Sequence, residues 1–373
     1  MIKTNICIDC VKEFHLKQLI ENSPITDNCS FCNKKKKICD YEEDQFYYLL
    51  KSLIRYYYNE WDYNDHWGGE SLYKLFQTDD VFFNKDNFLN PSDIDNLIDL
   101  VENFEAYENY NEGISLYAGY DEDGNQNFLL RALKSEIDND ILKIINLLKS
   151  TNYYELEELI INGLREFIDI AKIDIVKNSK YYRARIGYSK KEYDYLDGGM
   201  EGKYIYSPFS EKEISSPPPF LAQSGRLNRA GVSFLYCATN SNTAISEVRP
   251  HPGDKVSVGC FINKEELKVF NLSKDYLLDF YRTDTLLDKF VYLNSLNILF
   301  QKTIPPSKKE NYSITQIVSD SVRKLGFDGI LFDSSVGEGK NLVIFEPKKM
   351  TYINDEKHIV VVQKVKYDFK ELR

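Results

Sequence analysis

Three polar side chains stand inside one otherwise core-like stretch, GRLNRAGVSFLYCATNSNTAISEVRP, from Gly225 to Pro250. Arg226 precedes a short apolar run, Tyr236 lies near the end of that run, and Glu247 comes late in the segment that follows. A fixed cation, an aromatic face and one carboxylate delivered by adjacent elements suit an anionic substrate that carries an aromatic ring. A second chemical set lies near the N-terminus. Cys7 and Cys10 in CIDC, and Cys29 and Cys32 in CSFC, form two C-x-x-C knuckles separated by an 18-residue spacer. Each knuckle puts two sulfurs on one side of a tight turn, and two knuckles complete a tetrahedron, the donor set of a zinc site. Four thiolates leave no coordination position for water, so such a zinc is structural. Cys39 and His15 are spare donors in the same region.

The elements that must position the first set read as turn, strand, loop and helix. Gly225 and the segment from Asn228 to Gly231 supply turn chemistry. Val232 to Cys237 has the length and composition of a strand. Asn240 to Asn242 is a polar break, after which Thr243 is placed to cap a helix carrying Ala244, Ile245 and Val248. Taken singly, each polar residue has a duller reading. Arg226 bridges to a surface carboxylate, Tyr236 is a strand aromatic in the core, and Glu247 is a solvated helix residue.

Further downstream, FDGILFDSSVGEGKNLVIF carries Ser334 and its neighbour Ser335, and upstream KYYRARIG carries Tyr182-Arg183 with Arg185 two positions on. With these in place, the region from about Ser179 to Pro347 resembles the RES domain, named for its Arg, Glu and Ser. The family pattern is GRWN, a Gly, an apolar strand ending in LY and a helix ending in Glu. Here it falls on Arg226, Tyr236 and Glu247, with Leu227 where Trp is usual. Ser334 matches the family serine, and Tyr182-Arg183 matches the aromatic-Arg pair that opens the domain. Ser335 and Arg185 compete for these two assignments.

The resemblance implies NAD as substrate and a fold similar to ADP-ribosyltransferases, a split, mainly antiparallel β core with peripheral helices and a cleft. The residues suit that reaction. Nicotinamide leaves a pyridinium as a neutral molecule, so no general acid is required, unlike the two carboxylates of ordinary glycoside cleavage. What is required is stabilisation of a cationic ribose, the role expected of Glu247. Arg226 and Arg183 suit the pyrophosphate, because a guanidinium fork matches phosphate oxygens. Tyr236 is expected to stack on nicotinamide and Ser334 to hydrogen-bond the ribose. Gly337 and Gly339 would let the intervening loop pass close to the ligand. Many RES proteins are toxins paired with an antitoxin, so an antitoxin or immune-system protein is the expected partner, and a role in phage defence is included. The acceptor (water, phosphate or a protein side chain) stays open, as does a homo-oligomer.

The remainder of the chain sets the context. Its 373 residues exceed one small core. The reading is an α+β multidomain protein: a zinc-ribbon-like knuckle over 1–40, an all-α domain over 41–178 and the RES domain over 179–373. Phe46, Leu49, Leu50, Leu53, Ile54 and Tyr57 recur at helical spacing, as do Ile94, Leu97, Ile98 and Val101 after Pro91-Ser92. Leu129–Leu148 and Leu156–Ile173 repeat the pattern, with a turn-rich break over Tyr117–Asn127. Some long RES relatives carry helices like those of HEPN ribonucleases, which use Arg-x-x-x-x-His. None of His15, His66, His251 and His358 has that arginine, so RNA cleavage is not expected. His66, between Trp61 and Trp67, reads as a partly buried structural histidine. Tyr188–Ser224, with Gly198-Gly199 and Pro217–Pro219, reads as a long mobile loop over the site. The net charge of −11 argues against direct nucleic-acid binding. No apolar run is long enough to span a bilayer, and MIKTNICIDC lacks a signal-peptide core, so a cytoplasmic location is expected.

Overall fold

A computed structural model describes the chain apart from residues 1–3, 79, 91, 103–110, 120–127, 196–201, 305–311, 367–368, 370 and 372–373. Pro91 and Gly198-Gly199 therefore lie outside the described residues, as does most of the 117–127 break. The architecture is mixed α and β, and the chain forms two compact units. One comprises 1–139 with 275–295, the other 140–274 with 296–373.

In the first unit, β1 (Asn5–Cys7), β2 (Thr26–Asn28) and β3 (Lys35–Asp40) form a small antiparallel sheet with β3 central. Helix α1 (Phe14–Asn22) buries Leu16 and Ile20 in the same core as Ile6, Phe31 and Ile38. Lys35–Lys37 project into solvent from β3, and Lys36 pairs with Asp9 at 3.0 Å. Helix α2 (Asp44–Tyr57) buries Phe46, Leu49, Leu50, Leu53 and Ile54, the apolar stripe that its spacing predicts. Short helices α3 (Glu60–Tyr63) and α4 (Leu72–Thr78) follow, then α5 (Asp93–Glu102), which buries Ile94, Leu97, Ile98 and Val101. His66 is exposed against Trp67, not partly buried, because it sits in a one-turn 3-10 segment at the surface.

Two buried cationic side chains, Arg55 and His15, pair with carboxylates in this unit. Arg55 Nη1 lies 3.0 Å from Asp284 Oδ1. His15, one of the spare metal donors, lies between two carboxylates, with Nδ1 2.7 Å from Glu13 and Nε2 2.9 Å from Asp275. Burial pulls the imidazole pKa down, but the bonds to Asp275 and Glu13 outweigh it and raise it from 6.5 to about 9. A raised folded-state value means that this stability is fully present below pH 6.5 and is lost as pH rises through 9. The shift corresponds to about 3 kcal/mol. Urea denaturation followed on the first unit should therefore show stability falling between pH 6.5 and 9, and His15→Gln should flatten that slope. An equal slope in the variant would show that His15 does not carry it.

The second unit opens with α6 (Asn139–Leu147) and α7 (Tyr153–Arg165). The helical periodicity read over Leu129–Leu148 and Leu156–Ile173 overshoots both. Residues 129–138 are irregular or turn, and Lys172–Ile175 is strand β4, paired with a partner distant in sequence. Then come β5 (Lys180–Ile186), β6 (Lys190–Tyr195), β7 (Gly202–Ser207), β8 (Leu235–Ala238), α8 (Ser241–Glu247), β9 (Lys255–Asn263) and β10 (Leu267–Asn271). The chain passes through α9 (Leu277–Phe280) and α10 (Asp284–Gln301) to α11 (Ser313–Lys324), β11 (Gly329–Asp333), β12 (Lys340–Ile344) and β13 (Met350–Val361). The stretch expected to be a loop instead contains the β6–β7 hairpin, whose alternating tyrosines pair Tyr193 opposite Tyr204, followed by 3-10 turns.

Eight strands form one sheet in the order β13-β9-β5-β8-β12-β11-β10-β4. Every neighbour pair is antiparallel except β10 with β11. The sheet is nearly cut in the middle. β5 pairs with β9 along its whole length, yet meets β8 through a single pair, Tyr182 opposite Ala238. Leu235, Cys237, Leu342 and Ile344 join Tyr181, Ile214 and Phe261 in one apolar core. Ala184, Ala238, Val256 and Val258 form a smaller one that seats Ala244 of α8.

Candidate active site

The cleft lies in the second unit, where β5 and β8 diverge. Its volume is about 1570 Å³. Divergence leaves the Tyr236 carbonyl without a strand partner, and Arg183 supplies one: its Nη1 donates to that oxygen at 2.9 Å. Burial pushes the Arg183 guanidinium below its ordinary pKa, yet an arginine stays charged. Arg185 turns elsewhere, donating to the Glu213 carbonyl and lying over the Phe209 ring. Arg183 lines the cleft and Arg185 does not.

Glu247, at the end of α8, is exposed in the cleft. Its Oε1 accepts two bonds of 2.6 Å, from Ser334 Oγ and Asn341 Nδ2. Ser334 is fixed in turn by the amides of Val336 and Gly337, at 3.2 and 2.9 Å, which donate to its oxygen. Its single proton goes to Glu247, so within this geometry Ser334 orients the carboxylate. Ser335 also lines the cleft, but it is Ser334 that reaches Glu247.

Helix α8 is capped by Asn240, whose side chain accepts from the Thr243 amide at 2.8 Å. Thr243, read from sequence as the cap, lies inside the first turn. Its Oγ1 instead accepts from the Gly339 amide at 3.0 Å and ties the 334–339 loop to the helix. A Cβ at Gly339 would stand 2.4 Å from Asn240 and 2.6 Å from Thr243, so only glycine lets the loop lie this close.

Arg226 lines the cleft but also serves the fold. Its Nη1 and Nη2 donate to the carbonyls of Phe300 and Lys302, at 2.6 and 2.9 Å, where α10 ends and its last carbonyls need donors. A guanidinium carries five N–H groups, so the remaining ones are available to a ligand. The Tyr236 hydroxyl is committed: it donates to Asn228 Oδ1 at 2.7 Å and accepts from the Leu227 amide at 3.0 Å. Burial raises its pKa well above the usual tyrosine range. A Cβ on Gly225 would meet Asn228 at 2.5 Å and the Tyr236 hydroxyl at 3.0 Å, which explains the glycine before Arg226. The strand begins at Leu235, later than the apolar run suggests, because Asn228 uses its amide to bond the carbonyls of Gln223, Arg229 and Val232.

The cleft thus brings together Arg183, Arg226, Tyr236, Glu247 and Ser334. Sequence reasoning missed Asn341. The available signal was a lone polar residue opening the apolar strand NLVIF, one strand away from Tyr236.

In the first unit Cys7, Cys10, Cys29 and Cys32 are all buried, and their sulfurs lie within 4.8 Å of one another. Measured edges are 3.7 Å for Cys7–Cys10, 3.6 Å for Cys7–Cys32 and 3.8 Å for Cys10–Cys29. Four sulfurs at about 2.3 Å from a tetrahedral zinc stand about 3.8 Å apart, so this donor set fits the ion. Asn33, with φ 54°, gives the second knuckle its left-handed exit, a conformation asparagine tolerates. Cys39 and His15 are not in the cluster.

Residues 199–369 match the RES domain family. The match spans Arg226, Tyr236, Glu247, Ser334 and Asn341, while Arg183 precedes it. No curated protein matches the chain. A solved structure, the MbcT–MbcA toxin–antitoxin complex of M. tuberculosis, is similar at 14% identity over 54% of this chain and 92% of that chain, with a TM-score of 0.31. A likeness this slight carries no weight for fold or function.

Proposed function

We propose that this chain cleaves the nicotinamide–ribose bond of NAD, as a glycohydrolase or phosphorylase, and acts as a toxin of a toxin–antitoxin or phage-defence system. The observation that carries the reading is Glu247: an exposed carboxylate with one oxygen held by Ser334 and Asn341, in a cleft that also holds Arg183 and Arg226. A carboxylate so fixed stabilises a cationic ribose without having to reorganise as the charge develops. The arginines suit the pyrophosphate, and the ring of Tyr236 suits nicotinamide. The RES match supports the substrate class through the family resemblance. The antitoxin partner rests on that resemblance alone.

The same proposal includes a structural zinc on the four cysteines, helices of HEPN-like type without ribonuclease activity, and the division into 1–40, 41–178 and 179–373. Among the described residues no helix is long and apolar enough to cross a membrane.

Incubation of the purified protein with NAD, with and without phosphate, followed by product mass spectrometry, tests the reading. Free nicotinamide with ADP-ribose or its phosphorylated counterpart is the expected result. Intact NAD, or label transferred to protein in place of free ADP-ribose products, would replace it with a binding module or a mono-ADP-ribosyltransferase. Arg226→Ala should raise the Kd for NAD by roughly 10- to 150-fold, the equivalent of a charge-assisted contact of about 1.5–3 kcal/mol. It should also lower thermal stability, because the carbonyls of Phe300 and Lys302 lose their donors. Unchanged NAD affinity in a folded variant would confine Arg226 to its structural role.

A further inference from the structure

We propose that Asn341 is a positioning residue: together with Ser334 it occupies Oε1 of Glu247, so that Oε2 is the oxygen presented to the reacting ribose. The inference rests on the functional reading above and adds to it a residue and a distinction between two oxygens. Both bonds to the carboxylate, from Ser334 Oγ and Asn341 Nδ2, converge on Oε1 at 2.6 Å. A carboxylate only accepts, so the atom that Asn341 turns to it is its NH₂ group.

Each donor is itself anchored. Ser334 is held by the amides of Val336 and Gly337. Asn341 sits in β12, opposite Ala238 of β8 on one side and Phe332 of β11 on the other, and is buried. Glu247 ends a helix of seven residues and is exposed, so nothing in its own helix fixes its side chain. Rigidity is imported from the sheet. A group that must meet charge at a defined point gains most from such support, since a displacement of about 1 Å can cost about 100-fold in rate.

Substitution separates this role from mere packing. Asn341→Leu removes the donor while keeping the branching and the number of side-chain heavy atoms. Asn341→Asp keeps the shape but points an oxygen at Glu247. If the donor matters, kcat should fall roughly 10- to 100-fold in Asn341→Leu and further in Asn341→Asp, with KM for NAD within about twofold of wild type. A packing role predicts the reverse order, because aspartate is the closer isostere. Crystal structures of the wild type and Asn341→Leu provide a readout independent of turnover: Glu247 should leave its Ser334-bound pose in the variant. Should the wild type fail to consume NAD, the functional reading falls, and the Glu247 pose alone decides the positioning role. Wild-type turnover in Asn341→Asp, or an unmoved Glu247 in Asn341→Leu, would overturn the proposal.

Discussion

Glu247→Gln should lower NAD turnover by about three to four orders of magnitude while leaving NAD affinity almost unchanged. Glutamine keeps the size of the side chain, and its amide oxygen still accepts from Ser334 and Asn341 at the position now held by Oε1. That clamp forces the amide NH₂ into the place of Oε2. A negative oxygen facing the developing ribose cation is thereby exchanged for a positive N–H edge. The loss falls on the transition state, because bound NAD carries no oxocarbenium charge at the ribose carbon. An effect of 1,000- to 10,000-fold corresponds to about 4–5.5 kcal/mol, within the range of a preorganised electrostatic contact plus the repulsion that replaces it. Turnover measured by nicotinamide release, together with NAD binding by calorimetry, separates the two parameters. If expression of the wild type arrests growth, Glu247→Gln should abolish the arrest with the protein still soluble. NAD consumption at the wild-type rate would eliminate this mechanism.

How much of this site was legible in the sequence depends on the reach of each contact. Arg226, Tyr236 and Glu247 sit on a turn, a strand and a helix that follow one another, so local patterning brings them near one place. Ser334 arrives from the loop after β11 and Asn341 from β12, both far along the chain, and the pairing of β12 with β8 and β11 delivers them. Asn341 carried little signal because a polar residue at a strand start is common. Its importance comes from lying beside Glu247, which no spacing expresses. The same limit explains the errors in the fold. Lys172–Ile175 has an apolar residue at every second position and is short, so helical periodicity running in from α7 masked it until its pairing with β10 was seen. The hairpin hidden in the 188–224 stretch was masked by flanking Gly and Pro residues, whose turn chemistry dominates a composition-based reading.

Two residues also turned out to serve the scaffold as well as the cleft. Arg183 completes the hydrogen bonding of a strand end, and Arg226 that of a helix end. The first need arises where β5 parts from β8, the second where helix α10 runs out of intrahelical donors. Charged groups placed there meet that demand and line the cleft as well. A sequence motif shared by such sites therefore reports structural and chemical requirements together, and substitution data on these arginines need a stability measurement beside every affinity.

The largest stability effect is expected at the cysteine cluster. The purified chain should contain about one zinc, and Cys29→Ser should lose it. The four sulfurs already stand at the edges of a zinc-sized tetrahedron, and all are buried. Structural zinc binding contributes about 10–16 kcal/mol in small domains. Ile6, Leu16, Ile20, Phe31 and Ile38 form an apolar core that offsets part of its loss here. A residual loss of several kcal/mol should lower the unfolding temperature of the first unit by roughly 10 °C or more. Cys39→Ser provides the control. Among the described residues its sulfur lies outside the cluster, with a 3.5 Å contact to the Asp40 carbonyl, so zinc content should stay at one. Metal analysis and thermal unfolding of the three proteins, each with and without a chelator, decide the matter. A zinc-free wild type that unfolds at the same temperature as Cys29→Ser would show that the four thiols pack without a metal.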